Sequence, residues 1–134
     1  MSQEVRVLVC EDDRAIRTLV ELLLRRRGYT VDVAVDGEAA ITALAGRPYD
    51  VIVLDLLMPG TTGYEVLDYL RQNHPQQLSR VIITTASQNA FREVFPIAIA
   101  SMIRKPFDIY ELEELVRRVA GGLHPPGSTT TAFV

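Results

Sequence analysis

The stretch that decides the fold is Val51-Ile52-Val53-Leu54-Asp55-Leu56-Leu57-Met58-Pro59-Gly60. Four consecutive apolar residues, three of them β-branched, lead into a carboxylate. After Asp50 the run shows no polar alternation, which predicts a strand from Asp50 to Leu54 covered on both faces. Pro59-Gly60 is a turn pair. Asp55 therefore falls at the edge of a buried strand, where an ionised carboxylate is costly unless something pairs with it. It also lies too early to cap a helix starting near Thr62.

Working outward, the same pattern recurs. Val5 to Cys10 is rich in β-branched residues and predicts a first strand. Ile16, Leu19, Val20 and Leu23 follow at helical spacing, with Gly28 where that helix should end. Thr30 to Val35 alternates as a second strand. Asp36 is placed to cap a helix carrying Ala40, Ile41 and Leu44 and stopping at Gly46. Thr62 and Glu65 have capping-box spacing ahead of Val66, Leu67 and Leu70. Asn73-His74-Pro75 ends that helix. Arg80 to Thr84 predicts a fourth strand, Gln88 to Phe95 a short helix limited by Pro96, and Ile97 to Ile103 a fifth strand. Asp108 and Glu111 repeat the capping spacing before Leu112, Leu115, Val116 and Val119, and Gly121-Gly122 closes the last helix. The result is an α/β fold, (βα)5, with a parallel sheet wrapped on both faces.

The composition agrees. The chain has 134 residues, 48% hydrophobic and 23% charged, with a net charge of -3. That suits one soluble domain and argues against a nucleic-acid-binding surface. The single cysteine, Cys10, excludes an internal disulfide and fits a reducing compartment. No apolar run is long enough to span a bilayer, and the N-terminus lacks the pattern of a secretion signal. The expected location is cytoplasmic. Residues 1–122 are expected to form the domain, and 123–134 a flexible tail or a truncated linker.

In doubly wound sheets, ligands collect at the carboxyl ends of the strands. There the sequence offers Glu11-Asp12-Asp13 after strand one, Asp55 after strand three, Thr84-Thr85-Ala86-Ser87 at strand four and Lys105 after strand five. Each has an ordinary reading. Asp12 or Asp13 can simply cap the first helix, Thr85 can be a strand-end threonine, and Lys105 can be solvated. Together they form a chemical set. Clustered carboxylates repel unless a cation sits among them, and an all-oxygen, open site suits Mg2+ better than zinc. Neither His74 nor His124 lies near a strand end. A carboxylate beside Mg2+, a lysine and a threonine hydroxyl suits phosphoryl transfer to that carboxylate.

Val-Leu-Val-Cys-Glu-Asp-Asp, Val-Ile-Val-Leu-Asp-Leu-Leu-Met-Pro-Gly, Thr-Thr-Ala-Ser and Lys-Pro-Phe, in this order, resemble the signatures of bacterial two-component response-regulator receiver domains, the CheY-like family. The resemblance runs from about Arg6 to Val119. It implies strand order 2-1-3-4-5, a flavodoxin-like arrangement, and a signalling switch that takes its phosphoryl group from a histidine kinase or a histidine phosphotransfer protein. It implies Asp55 as phosphoacceptor and Glu11 with Asp12 as the acidic pair holding Mg2+, leaving Asp13 as helix cap. The Leu57 backbone carbonyl would complete the metal site. Thr85 and Lys105 would contact the phosphoryl group, Pro106 would follow a cis peptide bond, and Gly63 would open the third helix. It also implies control of a downstream protein or output domain through the α4–β5–α5 surface, which often serves for homodimers, and no direct binding of nucleic acid or membrane by this chain.

Two positions depart from the family pattern. Met102 stands three residues before Lys105, where an aromatic switch residue is usual. The segment between Thr85 and Lys105 is about two residues short. Two other functions make different demands on these positions. An aspartyl phosphatase would place an acid two residues after the nucleophile, where this chain has Leu57. A phosphorylation-independent binding module would lack part of the site, whereas every position is present. Leu57 and Ser87 flank the path of water to an acyl phosphate and neither is a good base, so slow-to-moderate autodephosphorylation is expected. The chain is expected to be either a stand-alone receiver or a piece of a longer regulator.

Overall fold

In this computed structural model, residues 4–87, 89–94 and 98–122 are described. The elements are β1 (Arg6–Cys10), α1 (Arg14–Arg26), β2 (Thr30–Ala34), α2 (Gly37–Gly46), β3 (Val51–Asp55), α3 (Gly63–Asn73), a 3-10 helix (Pro75–Arg80), β4 (Val81–Thr85), α4 (Ala90–Val94), β5 (Ser101–Arg104) and α5 (Ile109–Ala120). The strands pair in parallel in the order β2-β1-β3-β4-β5, as expected.

Alternation along the central strands divides the core in two. Leu8, Cys10, Ile52, Leu54, Val81, Ile83 and Met102 share one cluster with residues of α2, α3 and α4. Val7, Val9, Val51, Val53, Ile82 and Ile103 share another with α1 and α5. Covering both faces is why β3 and β4 are buried at every position.

Polar side chains fix where the helices begin. Asp13 accepts from the Ile16 amide at 3.0 Å, Asp36 from Ala39 at 2.8 Å and Thr62 from Glu65 at 3.3 Å. Each cap of this kind is worth about 1 kcal/mol. Asp108 caps α5 one residue earlier than the capping-box spacing suggests, accepting from Tyr110 at 2.8 Å. Beyond α1 the chain turns at Gly28, whose φ of +92° is the left-handed conformation glycine adopts freely.

Three boundaries differ from expectation. The residues between α3 and β4 form a 3-10 helix with Pro75 in its first turn. The Gln77 side chain there accepts from the Tyr49 amide at 2.9 Å, tying this turn to the approach to β3. β5 starts at Ser101 instead of Ile97, because only residues 101–104 lie opposite β4. Ahead of it the apolar residues Ala98, Ile99 and Ala100 lie outside the strand, and the Ala100 amide donates to the Val81 carbonyl at 2.9 Å. Among the described residues α4 covers Ala90–Val94. Phe95, Pro96 and Ile97, like the tail from residue 123, lie outside the described residues.

Candidate functional site

Register brings the expected residues to one end of the sheet. Cys10 is level with Leu54, so Glu11 and Asp55 leave their strands side by side. Asp55 is level with Thr84, and Thr85 with Arg104, so Thr85 and Lys105 arrive at the same edge. This is the point where the chain, having paired β1 with β2, crosses back to β3. A crevice opens there in such sheets.

Asp55 and Glu11 are buried carboxylates, each about 4% exposed in its side chain. Lys105 reaches both, with Nζ 2.6 Å from Glu11 Oε1 and 3.1 Å from Asp55 Oδ2. The other oxygens are also engaged. Glu11 Oε2 accepts from the Asp13 amide at 3.1 Å, and Asp55 Oδ1 from the Leu57 amide at 3.0 Å. The Lys105 amide donates to the Thr85 carbonyl at 2.7 Å, which ties the start of the β5–α5 loop to the end of β4. The Lys105–Pro106 peptide is cis.

One lysine does not balance this site. Burial, and secondarily the Asp55 charge, push the Glu11 carboxyl up to about 7 against the pull of Lys105 and the Asp13 amide. For Lys105 burial favours the neutral form, but its hydrogen bonds and charge pairing with Glu11 and Asp55 win and raise its pKa. The lysine thus stays cationic, and this one cation is shared between Glu11 and Asp55 with Asp12 beside them. Carboxylate oxygens of Glu11, Asp12 and Asp55 lie within 4.8 Å of one another, a set of hard donors suited to a divalent cation. Asp12 is exposed and Glu11 and Asp55 are buried, so the set opens to solvent on one side.

The remaining expected residues fall as follows. Thr85 is buried at the end of β4, and its hydroxyl accepts from the Ser87 amide at 3.0 Å. Leu57 follows Asp55 with an exposed side chain. Gly63 opens α3 against the backbone of β3: a Cβ there would meet the Asp55 carbonyl oxygen at 2.4 Å and Leu56 Cα at 2.6 Å. Met102 is buried, level with Ile83, in the cluster that includes Ala90 and Val94 of α4. One residue was missed. Arg17 of α1 donates from Nη1 to the carbonyls of Glu11, at 2.9 Å, and Asp12, at 3.2 Å. An arginine on a helix surface carries no sequence signal separating that contact from solvation.

Fold and site together define a doubly wound α/β domain with a cluster of carboxylates and a paired lysine at the carboxyl ends of its strands. Residues 7–117 match the response regulator receiver domain, and the chain belongs to that family, the switch modules of two-component signalling. It is 34% identical over 115 residues to the response regulator ArlR of Staphylococcus epidermidis, covering 84% of this chain and 51% of that protein. The chain thus spans about half the length of the curated relatives it matches. Among solved structures, the receiver domain of the Francisella response regulator 1452 superposes with a TM-score of 0.78 at 31% identity, covering 89% of this chain and 98% of that one. The response regulator TrrA of Thermotoga maritima, in complex with Mg(2+)-BeF, gives 0.75 at 31% identity over 86% and 98% of the two chains. The receiver domain of sensor histidine kinase PA1611 of Pseudomonas aeruginosa, with a magnesium ion coordinated in its active site cleft, gives 0.78 at 27% over 89% and 99%.

Proposed function

We propose that Asp55 is the phosphoacceptor, receiving its phosphoryl group from a phosphohistidine of a histidine kinase or phosphotransfer protein. The observation that carries this is the pairing of a buried strand-end carboxylate with Lys105 beside Glu11 and Asp12. An Asp55 oxygen attacks phosphorus in line with the P–N bond. That bond breaks, and the imidazole nitrogen keeps the electron pair and takes up a proton, leaving an acyl phosphate on Asp55.

Glu11, Asp12 and Asp55, with the Leu57 carbonyl, are the groups that would hold Mg2+, and the three carboxylates fit it by donor type and spacing. A bound Mg2+ supplies charge neutralisation for the phosphoryl oxygens. Lys105 adds a second cation already aimed at Asp55, and the Thr85 hydroxyl exchanges its Ser87 contact for a phosphoryl oxygen. Movement of Thr85 would reach the α4 side of the core through the neighbouring β5, where Met102 packs. The α4–β5–α5 surface is the part whose state would change, for a downstream protein or an output domain. The Mg2+-bound relatives support the metal reading.

The test is labelling by acetyl phosphate with Mg2+. Wild type is expected to gain one phosphoryl group and Asp55→Asn none. Labelling of Asp55→Asn at the wild-type rate would overturn the assignment. With Leu57 and Ser87 flanking the acyl phosphate, its loss by hydrolysis is expected to be slow to moderate, and a half-life of seconds would contradict that.

A further inference from the structure

We infer that Arg17 is a positioning residue for the cation site, and that it aims the Asp12 carboxylate by holding the backbone on both sides of it. The proposal rests on the reading of Glu11, Asp12 and Asp55 as Mg2+ ligands. The Glu11 carbonyl belongs to the peptide before the Asp12 α-carbon, and the Asp12 carbonyl to the peptide after it. Arg17 Nη1 donates to both, at 2.9 and 3.2 Å. Tethering the carbonyl on each side restrains φ and ψ of Asp12, and with them the direction of its Cα–Cβ bond.

The rest of the loop is already tied down. The Glu11 amide donates to the Ala34 carbonyl at 3.1 Å, Glu11 Oε2 holds the Asp13 amide, and Asp13 caps α1. Asp12 differs from Glu11 and Asp55 in having no side-chain hydrogen bond among the described residues. No side-chain bond holds its rotamer, so the reach of its carboxylate is set by where the backbone places the Cα–Cβ bond, and that backbone is held by the guanidinium of the fourth residue of α1. Groups that orient metal ligands without touching the metal commonly change affinity by tenfold or more.

The sign of the effect separates this role from charge alone. Arg17 is a cation near a cation site, so if it acts only through its field, removing it must tighten Mg2+ binding. If it positions Asp12, removing it must weaken binding. The experiment is a Mg2+ titration followed by amide NMR shifts, which also report whether each variant is folded. Arg17→Ala is expected to weaken the Kd on the order of tenfold. Arg17→Lys, which keeps a donor of similar reach, should recover part of it. Arg14→Ala, which removes a neighbouring arginine without a bond to the loop, should leave the Kd equal or tighter. Should Arg17→Ala fail to fold, Arg17→Gln, too short to hold both carbonyls, carries the same comparison. A Kd equal to or tighter than wild type in the folded Arg17 variant would overturn the proposal. A wild type showing no Mg2+-dependent shifts at Glu11, Asp12 and Asp55 would instead remove the metal reading on which it rests.

Discussion

Lys105 stands between two buried carboxylates, and Lys105→Met is expected to leave both without a cation. Breaking such a pair costs about 3 kcal/mol. Urea denaturation of the metal-free variant should show that loss, and saturating Mg2+ should restore much of it. Glu11 gives a pH dependence. Its folded pKa of about 7 lies above the ordinary 4.5, so the folded state holds this proton more tightly. Stability from this group is therefore present at low pH and lost as pH rises from about 4.5 to about 7. Metal-free Glu11→Gln should flatten that part of the pH–stability profile, and an unchanged profile would refute the assignment. At this scale the sequence was informative wherever a polar residue interrupted an apolar run, as at Glu11 and Asp55, or followed one closely, as at Lys105. Arg17 was not legible, because its partners are carbonyls that only the folded loop presents.

Gly63 shows what an element boundary can do for the site. Its Cα lies so close to the Asp55 carbonyl that a methyl group would push α3 away from β3. Backbone cannot yield as a flexible side chain does, so Gly63→Ala is expected to cost about 1–3 kcal/mol, read from the thermal midpoint. It should also weaken Mg2+ binding, because Asp55 and Leu57 flank the displaced segment. Helices α1, α2, α3 and α5 were legible because each joins a capping side chain to an apolar face. The 3-10 helix was not, since Pro75-Gln76-Gln77-Leu78 has no period long enough to read. The start of β5 was misplaced for a different reason: apolar composition reports burial, whereas strand length depends on the span of β4 opposite.

The described residues form one sheet carrying two cores, all five strands contribute to both, and β1, β3 and β4 are the inner ones. Disturbing either core should therefore loosen the same strands. Amide hydrogen exchange is expected to be slowest in β1, β3 and β4 and fastest in α4, which has five residues. Equal protection of α4 and β3 would contradict this. Met102→Ala should cost about 2–4 kcal/mol by opening a cavity on the α4 side, measured in urea. Strand order was legible only through the family resemblance, since alternation of strands and helices fixes a parallel sheet but not which strand sits at its centre. Cys10 ends β1, the strand between β2 and β3, and is fully buried. Its burial, and secondarily the charge of Glu11, raise its pKa far above that of an ordinary thiol. The chain thus carries a built-in clock for opening of the sheet. A disulfide reagent should modify Cys10 only when β1 is exposed, and Mg2+ should slow that reaction to the extent that it stabilises the fold.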